Sequence, residues 1–246
     1  LAARRARGLG EESMSQKLAL ITGSSERLGK AMALKLAYNG WKIALHYNTS
    51  EKAAYEFAKE LLPTTDVMLF KADLSIEEQV VKLKEEVDEQ MGEVTLLINN
   101  ASIYKNDNIT NLNSYNLEQN LNLHLSCPLY LARSMKSGNV INIIDADIAH
   151  NMHKFFSYSL SKKALFELNK MMAYSLAPNI RVNAIAPGPI LFKEGQDREL
   201  FDRLIAEAPL KNKASIEDLY NSIMFLINTP SITGQCIFLD GGRHLL

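Results

Sequence analysis

Short apolar runs alternate with helix-patterned segments from one end of the chain to the other, and this alternation leaves few folds open. KLALIT (17–22), WKIALHY (41–47), VMLFKAD (67–73), VTLLINN (94–100), NVINIID (139–145), IRVNAIAP (180–187) and QCIFLDGG (235–242) read as seven strands. Helices are expected over 27–39, stopped by Gly40, and over 51–62, ending before Pro63. Ser75 and Glu78 form an S-x-x-E pattern that predicts a capping box opening a helix to Met91, with Gly92 as its stop. Further helical segments lie around 114–137 and 155–177, and Ser215 with Asp218 opens the last. Strands that are apolar throughout need cover on both faces. The expectation is therefore an α/β chain: one Rossmann-like, doubly wound domain with a seven-stranded parallel sheet and helices on both faces. Its ligand should lie beyond the carboxyl ends of the strands, at the topological switch point.

Composition agrees with one such domain. The 246 residues are 47% hydrophobic and 22% charged, enough for a sizeable core. Lysine plus arginine (27) nearly balance aspartate plus glutamate (28), so no long-range field favours nucleic acid or an anionic membrane. No apolar run approaches bilayer length. Cys127 and Cys236 are far apart without metal-type spacing, and a reduced, cytoplasmic compartment is the simpler inference. LAARRARGLGEES is arginine-rich without a signal-type apolar core, so residues 1–13 are expected to be a leader outside the fold and 14–246 the domain.

TGSSERLGK (22–30) follows the first strand and opens the first helix, the setting in which a glycine-rich turn cradles a pyrophosphate. Gly23 permits the sharp turn and Gly29 close packing of helix on sheet, with Ser25, Arg27 and Leu28 in the same turn. An NAD reader usually places a carboxylate after the second strand. Here LHYNTS has none before Glu51; His46, Asn48, Thr49 and Ser50, beside Tyr47, offer donors to a 2′-phosphate, which favours NADPH. Asp73 with Leu74 closes the third strand toward the adenine edge, and Asn100, Ala101 and Ser102 close the fourth toward the nicotinamide.

YSLSK puts Tyr158 and Lys162 at i and i+4 on one helix face. A lysine ammonium beside a phenol favours the phenolate, giving an acid/base near neutral pH. Two further Tyr-x-x-x-Lys pairs, Tyr38/Lys42 and Tyr55/Lys59, are read as structural, the first straddling Gly40 and the second lying in a helix body away from the cofactor. Tyr158 follows Asp145 by 13 residues, so the two can converge at the end of the fifth strand. His150 and His153 lack a helix-borne glutamate between them; no metal site is expected, and the pair is placed at the pocket edge.

With TG-x-x-x-x-x-G at 22–29, NNAS at 99–102, Tyr158-x-x-x-Lys162 and the Pro187-Gly188 turn, residues 17–242 resemble the short-chain dehydrogenase/reductase family. The resemblance implies a tyrosine acid/base, with Lys162 holding the nicotinamide ribose and lowering the tyrosine pKa. Most members carry glycine in place of Arg27 and serine in place of Asp145. These two departures resemble the pteridine reductase branch, which implies an arginine bridging pyrophosphate and pterin, and a catalytic set Asp145, Tyr158 and Lys162. Tyr104 matches the aromatic that sandwiches the pterin there, with Ser102 beside it. His124, four residues before Pro128, stands where the wider family has an asparagine, unless Asn120 or Asn122 takes that place. With IAPGPILF (185–192) and LDGGRHL (239–245) it resembles bacterial dihydromonapterin reductases. The implied substrate is a small pterin or folate, the cofactor NADPH and the assembly a homodimer or homotetramer, with Arg243 and His244 within reach of a neighbouring subunit's site. A carbonyl or 3-oxoacyl reductase on the same scaffold, and a non-catalytic NADPH-binding regulator, stay open as alternatives.

Overall fold

The computed structural model describes residues 17–192 and 197–246, so the expected leader lies outside the described residues. Seven strands form one sheet: β1 (Leu18–Ile21), β2 (Lys42–Tyr47), β3 (Val67–Lys71), β4 (Leu96–Asn99), β5 (Gly138–Ile143), β6 (Ile180–Pro187) and β7 (Cys236–Leu239). The order is β3-β2-β1-β4-β5-β6-β7, with every pairing parallel. Eight α-helices accompany them among the described residues: α1 (Arg27–Tyr38), α2 (Glu51–Leu61), α3 (Glu77–Met91), α4 (Ser114–Leu121), α5 (Cys127–Arg133), α6 (Phe156–Leu176), α7 (Arg198–Glu207) and α8 (Ile216–Asn228).

The period-two alternation of strand side chains sorts the apolar runs into two cores. In β1, Ala19 and Ile21 face a layer holding Met32 and Leu36 of α1, Phe57 of α2 and Ile223 of α8. Leu18 and Leu20 face the opposite layer, with Val80 and Leu83 of α3, Leu131 of α5 and Met172 of α6. Both faces are dry, which is why every residue of the strand is apolar.

The strand order reverses between β1 and β4, and polar bonds brace that point. Thr22 Oγ1 accepts from the backbone N–H of Asn100 and Ala101 at 2.9 and 3.0 Å. The Asn100 amide donates to the carbonyls of Thr22 and Gly23 at 2.9 and 3.0 Å. Asn99, by contrast, turns into the core and donates to Asn142 on β5, which donates to Asn169 on α6, each at 2.9 Å.

Two local expectations are corrected. The box at Ser75 and Glu78 does not form: Ile76 is the N-cap of α3, and the Ser75 hydroxyl and N–H both donate to Asp73 Oδ1. Asp73 Oδ1 takes the Ser75 N–H that the Glu78 carboxylate would accept in the box. The Ser215–Asp218 box does form at α8. The segment expected as one helix over 114–137 is α4 and α5 joined by a π-helical stretch, Asn122–Ser126. Pro128 has no N–H for the His124 carbonyl, and the ladder widens upstream, with Cys127 N–H donating to Asn122 O.

Candidate active site

Beyond the carboxyl ends of the strands lies a cleft of about 610 Å³. Its walls combine the turn after β1 (Gly23, Ser25, Arg27, Leu28, Gly29), the end of β2 (His46, Tyr47, Asn48, Thr49, Ser50) and Asp73 with Leu74 after β3. Asn100, Ala101, Ser102 and Tyr104 follow β4; Asp145, Tyr158, Lys162, Pro187 and Gly188 complete the far end. The amino terminus of α1 opens here without a side-chain cap, so its N–H groups are free for an anion. Gly29 packs so tightly that a Cβ there would stand 2.1 Å from the Gly23 carbonyl oxygen.

Arg27 adopts φ +51°, a left-handed backbone that glycine takes at little cost and arginine does not. Its exposed guanidinium donates weakly to Leu191 O at 3.4 Å and is available to the cleft. Across the turn, Ser50 Oγ donates to Glu26 Oε2 at 2.9 Å, so the expected donor at Ser50 is engaged by a carboxylate that also lines the cleft.

His46 does not point its ring into the cleft. Only 2% exposed, it accepts from Gly23 N–H at Nδ1 (2.9 Å) and meets Ala72 O through Nε2 (3.1 Å). Both nitrogens are therefore committed to fixing the glycine turn, and neither is offered to a 2′-phosphate as expected. Burial, opposed in part by the Ala72 carbonyl and Asp73, lowers the His46 pKa to about 4. The unfolded chain takes up a proton near pH 6.5 and the folded chain does not. The stability from neutral His46 is thus complete above pH 6.5 and is lost as pH falls toward 4, by roughly 3 kcal/mol. Denaturant unfolding at pH 7 and pH 4.5 should show this loss, and His46→Leu should flatten it; equal slopes in both proteins would remove His46 as its source.

Asp145 and Tyr158 converge: Tyr158 Oη donates to Asp145 Oδ2 at 2.5 Å, and Asp147 N–H holds Asp145 Oδ1 at 2.8 Å. Lys162 Nζ donates to Ile143 O at 2.8 Å and lies 5.8 Å from the Tyr158 ring centre. Here the phenolate expectation is reversed. Burial first, then the Asp145 carboxylate, push the Tyr158 pKa well above 10, outweighing a lysine that is turned to a backbone carbonyl. Burial also lowers Lys162 to about 8 against the pull of Asp145, and raises Asp145 with help from Asp147. The site holds the phenolic proton firmly on Oη, where Asp145 accepts it in a hydrogen bond.

Tyr104 is 54% exposed, stacked on Phe155 at 4.0 Å between ring centres, and edge-on to Tyr158 at 4.8 Å. Phe155 also has a left-handed backbone, φ +57°, at the start of α6. Asp107, 3% exposed, ties that start to the loop carrying Tyr104 by accepting from both the N–H and the hydroxyl of Ser157. His124 is not a cleft residue. It is 1% exposed beneath Ser102, with Nε2 3.1 Å from Ser102 Oγ and Nδ1 2.8 Å from Ser161 Oγ. The π-helical stretch turns it inward, and burial with nearby Lys162 lowers its pKa well below 6.5.

His150 and His153 do not line the cleft. Arg243 does, but within its own chain, paired with Asp147; His244 pairs with Asp240. Sequence reasoning also missed Phe201 and Leu204 of α7, which close one side, and Asp147, whose position two residues after Asp145 was its one available signal. Among the described residues no helix is long and apolar enough to cross a membrane, and no cluster of three His, Cys, Asp or Glu residues could hold a metal.

Residues 23–244 match the family described as enoyl-(acyl carrier protein) reductase, one of the short-chain reductase families. The chain belongs to the short-chain dehydrogenase/reductase family. Its similarity extends to the oxidoreductase YmfI of Bacillus subtilis, 30% identical over 93% of this chain and 99% of that protein. The 3-oxoacyl-[acyl-carrier-protein] reductase FabG of Staphylococcus epidermidis is 29% identical, again over 93% and 99%. Among solved structures, FolM alternative dihydrofolate reductase 1 from Brucella canis, complexed with NADP, aligns with a TM-score of 0.86 at 34% identity, covering 93% of this chain and 94% of that one.

Proposed function

We propose that this reductase uses NADPH to reduce the C=N bond of a dihydropterin, such as dihydromonapterin, dihydrobiopterin or dihydrofolate, to the tetrahydro form. The observation that carries this reading is the carboxylate of Asp145, rather than a hydroxyl, bonded to Tyr158 Oη. A carboxylate accepts from ring N–H and exocyclic amino groups, which a pterin has and a simple ketone lacks. Arg27 and Tyr104 in the same cleft support it, offering a cation and a stacking face. Similarity to the FolM structure adds support, since that protein is described as a dihydrofolate reductase with NADP.

The uncapped start of α1 and the close approach at Gly29 fit a dinucleotide pyrophosphate, with Asn48 and Thr49 toward the 2′-phosphate. The bound cofactor's contribution is a hydride to the ring carbon. Tyr158 Oη gives its proton to the adjacent nitrogen, so the double bond gains one hydride and one proton. Asp145 orients the hydroxyl and the pterin edge, Lys162 holds the ribose, and Arg27 with Tyr104 fixes the ring. Met171 and Tyr174 on α6, exposed at 66% and 90%, give an apolar face suited to a homo-oligomer.

Similarity to FabG favours a second reading, reduction of a 3-oxoacyl thioester. Following NADPH oxidation against dihydromonapterin, dihydrobiopterin, dihydrofolate and an acetoacetyl thioester separates the two: turnover of the thioester alone would overturn the pterin reading. Arg27→Gly sharpens the contrast. Its kcat/KM for dihydropterins should fall roughly 10- to 100-fold, with a much smaller change for a simple ketone. Glycine suits the left-handed backbone at 27, so the loss should come without loss of fold.

A further inference from the structure

Asp147 and Arg243 form an ion pair that the proposed chemistry does not use, yet both line the reacting cleft. They are held from segments remote in sequence, one in mid-chain after β5 and one after β7. Asp147 sits in the short 3-10 helix Ala146–Ala149, its N–H bonded to Asp145. Arg243 opens the final 3-10 helix, Arg243–Leu245, which buried Asp240 anchors by accepting from Gly242 N–H at 2.9 Å and His244 N–H at 2.7 Å. Side-chain exposures of 23% and 17% leave the pair open enough for a ligand to reach.

We propose that this pair reads the substituent on the dihydropterin ring, preferring an uncharged chain with hydroxyl groups to one ending in a carboxylate. The inference rests on the pterin reading above. A hydroxyl can donate to Asp147 and accept from Arg243 at once, so a chain with neighbouring hydroxyls bridges the pair and leaves neither charge unpartnered. A methyl substituent makes neither bond. A carboxylate brought to Arg243 stands beside two carboxylates, Asp147 and the nearby Asp145, whose charge repels it.

The test measures kcat/KM for the wild type, Asp147→Asn and Arg243→Gln on three 7,8-dihydropterins. One carries a trihydroxypropyl chain, one a 6-methyl group, and the third is dihydrofolate, whose substituent ends in a glutamate. The preference for the hydroxylated chain over methyl should fall about tenfold in each variant, and Asp147→Asn should raise the dihydrofolate-to-methyl ratio several-fold. A structural role would lower all three substrates alike, and unchanged ratios would overturn the inference. Asparagine matches aspartate in size, so Asp147→Asn carries the test if the Arg243 variant does not fold. A wild type that turns over no dihydropterin overturns the function reading and this inference with it. Wild-type turnover with unmoved ratios overturns the reader alone.

Discussion

Tyr158→Phe should lower turnover by roughly 10³-fold while NADPH still binds with near wild-type affinity. Phenylalanine keeps the ring that meets Tyr104 edge-on at 4.8 Å and His124 at 5.8 Å, so the packing persists. What disappears is Oη, and with it the donor to Asp145 Oδ2. That bond lowers the Asp145 pKa against its burial, so its loss pushes the carboxyl further toward its protonated form. Steady-state rates alongside a fluorescence titration of NADPH separate chemistry from binding. Near wild-type turnover would remove the tyrosine from the mechanism and make Asp145, already raised, the proton donor to examine next.

Gly29→Ala should damage fold and cofactor site together. The added methyl would lie 2.1 Å from the Gly23 carbonyl oxygen and 2.8 Å from both Asn100 Nδ2 and Ser24 Cα, and backbone cannot move aside as a flexible side chain can. The turn must open, which breaks the Asn100 bonds at 2.9 and 3.0 Å that join β1 to β4 at the switch point. Overpacking of this kind costs roughly 1–3 kcal/mol. For a domain of this size that lowers Tm by roughly 2–12 °C. Calorimetry together with an NADPH titration measures both effects. An unchanged Tm with unchanged NADPH affinity would show that the turn accommodates a side chain and is not held as described.

The fold was legible because each strand is apolar on both faces, and only a sheet covered twice gives Leu18, Ala19, Leu20 and Ile21 the burial they all have. The site was legible where its residues follow strand ends, as Gly23, Asn100 and Asp145 do. What escaped depends on contacts remote in sequence or on competition between near neighbours. RELFDRLIAE, the sequence of α7, reads as a charged segment until Phe201 is seen buried against the cleft. Asp73 takes the Ser75 N–H before Glu78 can accept it, a contest no S-x-x-E pattern records. The Arg243–Asp147 pair joins residues 96 apart in sequence, and the protonation of Tyr158 follows from its burial first and from Asp145 second, not from its spacing to Lys162.

The histidine beneath Ser102 has a consequence for how the enzyme refills. Satisfying every partner directs the protons one way: Ser102 hydroxyl to His124 Nε2, His124 Nδ1–H to Ser161 Oγ, and Ser161 hydroxyl to Tyr158 O at 2.7 Å. That line ends on a peptide carbonyl, which has nothing further to hand on. It works as a strut under the catalytic helix and is closed as a conduit. In the proposed reaction, the proton that Tyr158 gives up is therefore not replaced along this line, and the open cleft that Tyr158 also borders is left as the side from which solvent can supply it.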